Sequence, residues 1–127
     1  MAADAIHGRR ILVVEDDMMI AILIEDMLLD LGCAVAGPCN TLAGALALAG
    51  APEPIDAAIL DIDLDGVAVF PVADVLRARG VPIIYSTGFG GAALPPQDAA
   101  CPVLQKPFRA RAFEATLRAA LAPPPEG

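Results

Sequence analysis

The sequence predicts an α/β domain built on a doubly wound, five-stranded parallel sheet. Short, wholly apolar runs alternate with helix-period segments about five times, and runs of that kind fit strands buried on both faces. At 127 residues the chain also has the length of one ordinary domain. Right-handed crossovers then place helices on both faces and ligands at the carboxyl ends of the strands.

Taken in order, residues 1–9 read as an N-terminal arm, with His7 in a frayed segment, and residues 10–122 as the domain. Ile11 to Val14 is the first apolar run, followed by a helical pattern from Met18 to Leu31. A weaker strand is expected at Ala34 to Ala36, then a helix from Thr41 to Ala49 capped by Asn40. Ala57 to Leu60 is the third run. A helix from Pro71 to Arg79 follows it and stops at Gly80, a residue suited to a helix C-terminus. Pro82 to Tyr85 is the fourth run, and Val103 to Gln105 a short fifth. Between them, Gly88 to Pro96 reads GFGGAALPP, too rich in glycine and proline for a firm helix, so the fourth helix is expected to be weak. A final helix spans about Ala110 to Leu121, and residues 123–127 read as a flexible tail.

Composition excludes several classes. Sixteen acidic residues against eight basic give a net charge of −8, which disfavours nucleic acid and anionic membranes, since both need a basic face. Hydrophobic residues make up 57% of the chain, enough for a packed core rather than disorder. The uncharged stretch Leu31 to Pro52 is no membrane span. Gly37-Pro38 and Asn40-Thr41 interrupt it, and the remainder reaches only ~15 Å as a helix against a hydrocarbon core of ~30 Å. With no apolar leader in MAADAIHGRR, a cytoplasmic location is expected. Cys33, Cys39 and Cys101 show no paired spacing and read as small hydrophobes. His7 is the single histidine, so histidine-assisted nucleophilic catalysis is not expected.

Chemistry-bearing residues collect at the strand ends. The first run ends in Glu15-Asp16-Asp17, the third in Asp61 followed by Asp63 and Asp65, the fourth in Ser86-Thr87-Gly88, and the fifth in Lys106-Pro107-Phe108. Carboxylates converging from two adjacent strands repel unless a cation lies among them, and an all-oxygen site suits Mg²⁺ or Mn²⁺. Lys106 is the only lysine among eight basic residues, and its compact ammonium can pair with an anion there. Six of the sixteen acids lie at these two strand ends; without them the balance is ten acids to eight bases, so the acidity is mostly local.

In this order ILVVEDD, AAILDID, STG and LQKPF resemble the receiver domain of two-component response regulators, over almost the whole chain. The resemblance implies a flavodoxin-like strand order 2-1-3-4-5 and makes Asp61 the phosphoacceptor. Asp16 and Asp61 would bind Mg²⁺ with the backbone carbonyl of Asp63, and Glu15 would hold it through water. Lys106 would stabilise the acyl phosphate, Thr87 would hydrogen-bond it, and the Lys106-Pro107 bond would be cis. YSTGFG beside the contracted DIDLDG resembles the "FAT GUY" group of alphaproteobacterial receivers, often single-domain partners of HWE-type sensor histidine kinases. A kinase would dock near helix one, where Met18 and Ile22 fall among acidic positions, and a downstream protein would receive the signal. The implied function is a phosphorylation-controlled regulator rather than an enzyme.

Two departures accompany the match. Gly66 follows Asp61 by five residues, so the loop is shortened, and Val103 stands where many receivers carry an aromatic switch residue. Switching would then rely on reordering the segment after Thr87. Three rivals compete. D-L-D-G-V from Asp63 resembles haloacid-dehalogenase phosphatases, but the acidic cluster precedes it and no acid follows Lys106 until Glu114. D-x-D-x-D-G begins a calcium loop whose twelfth position, Val72, supplies no ligand. A receiver fold that has lost phosphorylation would be an interaction module.

Overall fold

The computed structural model describes residues 6–88 and 94–122. In chain order its elements are β1 (Arg10–Val14), α1 (Met18–Asp30), β2 (Ala34–Cys39), α2 (Leu42–Ala49), β3 (Ala57–Asp61), β4 (Asp63–Leu64), β5 (Val67–Ala68), α3 (Phe70–Ala78), β6 (Ile83–Thr87), a 3₁₀ turn (Pro96–Asp98), β7 (Val103–Gln105) and α4 (Ala110–Leu121). The main sheet runs β2-β1-β3-β6-β7, every pairing parallel. With the β4–β5 hairpin set aside this is the expected order 2-1-3-4-5. Among the described residues no helix is long and apolar enough to cross a membrane.

The apolar runs are strands because both of their faces are covered. Leu12, Val14, Ala58, Leu60 and Tyr85 pack with α2 and α3 residues such as Ala45, Val72 and Leu76. Ile11, Val13, Ala57, Ile59 and Ile84 pack instead with Ile24 and Leu28 of α1 and Phe113 and Leu117 of α4. Strand alternation thus sorts successive residues into two cores. Alanines at Ala45, Ala49, Ala57, Ala58 and Ala73 are fully buried, letting backbones approach closely.

Several boundaries differ from expectation. Ile6 is fully buried in the α1/α4 core, and the Gly8 amide donates to the Gly32 carbonyl at 2.8 Å. The segment Ile6 to Gly8, expected to fray as part of an arm, therefore lies against the domain. Thr41, not Asn40, caps α2, its hydroxyl accepting from the Gly44 amide at 3.1 Å. β2 continues through Gly37-Pro38 to Cys39, with a register shift against β1 between Leu12 and Val14. The weak fourth helix is represented by the 3₁₀ turn Pro96–Asp98, while residues 89–93 and the expected tail at 123–127 lie outside the described residues.

α3 ends as its sequence predicts. The Val81 amide donates to Leu76 and the Gly80 amide to Arg77, both at 3.0 Å, the paired bonds of a Schellman cap. Gly80 has φ +73, and a Cβ there would meet nothing within 4 Å. Gly80→Ala should therefore cost backbone strain alone, about 1–2 kcal/mol, read as a lower urea midpoint with unchanged slope. An unchanged midpoint would contradict this account of the cap.

Candidate functional site

The carboxyl ends of β1, β3 and β7 meet at one edge of the sheet. The Glu15 amide donates to the Cys39 carbonyl at 2.9 Å and so prolongs the β1–β2 pairing by one residue. Alternation then puts its side chain on the face of Ile11 and Val13, and Asp61 falls on the same face after Ala57 and Ile59. From β7, the Lys106 amide donates to the Thr87 carbonyl at 2.7 Å. The following peptide to Pro107 is cis, as the resemblance implies. Phe108 stacks on Phe113 of α4 with ring centroids 5.8 Å apart, which fixes the turn that carries the lysine.

Lys106 Nζ lies 3.1 Å from Asp61 Oδ2 and 2.9 Å from Glu15 Oε1. Glu15 is fully buried and Asp61 is 4% exposed. Asp16 completes the group: one carboxylate oxygen from each of Glu15, Asp16 and Asp61 lies within 4.8 Å of the others. Three facing carboxylates against one ammonium leave excess negative charge in a poorly hydrated place. Burial first, then the facing Glu15 and Asp16 carboxylates, push Asp61 up to about 7, while Lys106 pulls the other way. Burial also pushes Asp16 up, but hydrogen bonding with Asp61 and Glu15 and from the Asp65 amide outweighs it, holding Asp16 below the usual carboxylate range. Burial would lower Lys106; its bonds to Glu15 and Asp61 more than offset that and raise it.

The other three strand-end acids have structural tasks. Asp17 caps α1, its Oδ1 accepting from the Met19 amide at 3.0 Å. Asp63 Oδ1 accepts from the Gly66 amide at 3.0 Å, and Asp65, with φ 52, forms with Gly66, φ 88, the turn of the β4–β5 hairpin. Two successive positive φ values are the demand of a two-residue type I′ hairpin, for which Asp-Gly is a preferred pair. The hairpin is what the shortened loop becomes, and the Asp65-Gly66 pair was its signal. It is tied to the site because the Asp65 amide donates to Asp16 Oδ2 at 2.9 Å.

The phosphatase alternative made Asp63 the nucleophile. Its carboxylate is instead engaged in the hairpin turn, while Lys106 pairs with Asp61. Thr87 is 6% exposed at the end of β6, on the face shared with Tyr85. Val103 is 45% exposed on the edge strand β7. The group opens into a cleft of about 470 Å³ whose lining includes Asp16, Asp61, Asp63 and Lys106 together with the apolar Ile20, Leu23 and Phe108. Beside it, α1 exposes Met18 and Ile22, the expected docking positions, and also Met19 and Leu23, which helix periodicity alone did not single out.

No family model matches the chain, and no curated protein does. Solved structures do. SdrG from Sphingomonas melonis Fr1 is 40% identical, with 94% of this chain and 98% of that one covered and a TM-score of 0.80. The receiver domain of the sensor histidine kinase PA1611 from Pseudomonas aeruginosa PAO1, with magnesium coordinated in its active-site cleft, is 28% identical over 90% of this chain and 98% of that one, TM-score 0.76. The response regulator PhyR from Brucella abortus is 30% identical over 90% of this chain and 48% of that one, TM-score 0.75. With the strand order and the strand-end acids and lysine in place, the chain belongs to the receiver domains of two-component response regulators.

Proposed function

We propose that Asp61 accepts a phosphoryl group from a sensor histidine kinase, in a receiver of the alphaproteobacterial "FAT GUY" type paired with an HWE-type kinase. The observation that carries this is Lys106 lodged between Glu15 and Asp61, with Asp16 completing a group of three carboxylates. The donors are all oxygen and carry excess negative charge, so they fit a hard divalent cation such as Mg²⁺ or Mn²⁺. Asp16, Asp61 and the main-chain carbonyl of Asp63 would hold it, with Glu15 acting through water. When bound, the metal offsets negative charge on the phosphoryl oxygens. The PA1611 receiver, with magnesium in its cleft, supports this choice.

A carboxylate oxygen of Asp61 attacks phosphorus. The bond from phosphorus to the kinase imidazole nitrogen breaks, and an acyl phosphate forms. Lys106 is already 3.1 Å from the carboxylate, so it holds the nucleophile before transfer and meets the new charge after it. Thr87 then hydrogen-bonds the phosphoryl group. SdrG has a beryllofluoride-activated conformation, which supports a phosphorylation-dependent change in its relative. The exposed apolar residues of α1 beside the cleft suit docking of a kinase helix bundle.

Incubation with Mg²⁺ and acetyl phosphate, followed by intact mass, should give a single phosphoryl adduct that is absent in Asp61→Asn. No adduct on the unaltered protein would leave a receiver-fold interaction module as the better reading. In the same assay, Met18→Asp with Ile22→Asp should keep labelling by acetyl phosphate while lowering transfer from a phosphorylated kinase at least tenfold. Unchanged transfer would remove α1 as the docking surface.

The electrostatics give a separate expectation. A carboxyl with a folded-state pKa of about 7 against an unfolded value of ~3.9 favours folding in its neutral form. That contribution is complete below pH 4 and is lost as pH rises towards 7. Metal-free Asp61→Asn should therefore match the unaltered protein near pH 4 and exceed it at pH 8 by on the order of 1–2 kcal/mol in urea unfolding. Equal stabilities at pH 8 would contradict the crowding of acids described above.

A further inference from the structure

The phosphoacceptor site makes no use of a third buried carboxylate, which lies on the other face of the sheet. Asp98, the last residue of the 3₁₀ turn between β6 and β7, is 1% exposed. Its Oδ2 accepts from the Tyr85 hydroxyl at 2.9 Å, and its Oδ1 accepts from Arg77 of α3. Tyr85 is fully buried on β6, and its ring meets Phe70 edge-on at 5.9 Å. One buried charge therefore joins β6, α3 and the connection that leaves β6.

A buried carboxylate is tolerated only when paired, and losing a partner is costly. This pairing can nevertheless be undone without stranding a cation. Arg77 also holds Asp74 at 2.8 Å and keeps 34% of its side chain exposed, so its guanidinium stays paired when Asp98 leaves. The 3₁₀ turn is three residues long and has little stability of its own. Tyr85 stands two residues before Thr87 on the same face of β6, so the strand that carries Thr87 is tied through Asp98 to the 3₁₀ turn. Burial first, then Asp98, hold the Tyr85 hydroxyl well above its ordinary pKa, so it remains a donor.

We propose that Tyr85, Asp98 and Arg77 form a latch that holds the 3₁₀ turn Pro96–Asp98 against α3 in the unphosphorylated state and opens when a phosphoryl group on Asp61 draws Thr87 to it. The latch rests on that assignment of Asp61 and Thr87. The three are positioning residues: they set the balance between resting and activated states without touching the phosphoryl group. A bond made only in the resting state lowers affinity for anything that binds the activated one.

The test is titration with beryllium fluoride and Mg²⁺, a phosphoryl mimic, followed by ¹⁹F NMR. Tyr85→Phe keeps the ring and should bind about threefold to tenfold more tightly than the unaltered protein, the scale of the net contribution of one intramolecular hydrogen bond; Asp98→Asn should shift the same way. Equal or weaker binding by Tyr85→Phe, even with lowered unfolding stability, would make the network a structural staple and overturn the latch alone. Absence of binding by the unaltered protein would overturn the assignment of Asp61 and the latch with it. The chain has one tyrosine and no tryptophan, so its intrinsic fluorescence reports Tyr85 directly and needs no variant. Emission quenched by the carboxylate should rise when beryllium fluoride binds; unchanged emission on binding would also overturn the proposal.

Discussion

The ammonium of Lys106 between Glu15 and Asp61 is the contact on which the arrangement of the site depends. It requires three strands to end together, and only a parallel sheet with β1, β3 and β7 in fixed register brings them there. It also requires the turn after β7 to stay in place, which the stacking of Phe108 on Phe113 provides from α4. Without the lysine, two almost fully buried carboxylates would face each other and Asp16 with no countercharge from the described residues. With it, the site is held together but keeps an excess of negative charge, the feature on which the proposed cation and phosphoryl roles rest.

The net charge of −8 is a property of place rather than of the chain at large. Six acids lie at two strand ends, and the fold divides them into two sets. Glu15, Asp16 and Asp61 face one another, whereas Asp17, Asp63 and Asp65 build the helix cap and the hairpin that frame them. The framing acids matter to the chemistry indirectly. Through the Asp65 amide the hairpin reaches Asp16, so a turn that is required sterically also places a donor on a site carboxylate. On the opposite face Asp98 shows the other way to bury an acid, with a guanidinium and a phenol in place of an ammonium.

Much of this was legible in the sequence, for physical reasons. Strands covered on both faces must be continuously apolar, so β1, β3 and β6 stood out, and a reactive residue directly after each pointed to the carboxyl edge. Features that depend on contacts distant in sequence did not stand out. Asp98 lies 13 residues from Tyr85 and 21 from Arg77, and isolated polar residues at such separations carry no periodicity. The β4–β5 strands have two residues each, too short for alternation to register, although Asp65-Gly66 was a usable turn signal. β2 passes through Gly37-Pro38, a pair that reads as a break. Ile6 looked like part of a terminal arm because burial by a neighbouring core leaves no local pattern in one residue.

Calorimetric titration of Mg²⁺ at pH 7.5 tests most directly the claim that three of the six strand-end acids form a metal-dependent phosphoacceptor site. The unaltered protein should bind one equivalent, Asp16→Asn and Asp61→Asn should lose most of that affinity, and Asp63→Asn should keep it, because the Asp63 carboxylate belongs to the hairpin turn. Binding that survives both Asp16→Asn and Asp61→Asn, or that disappears only in Asp63→Asn, would contradict the account.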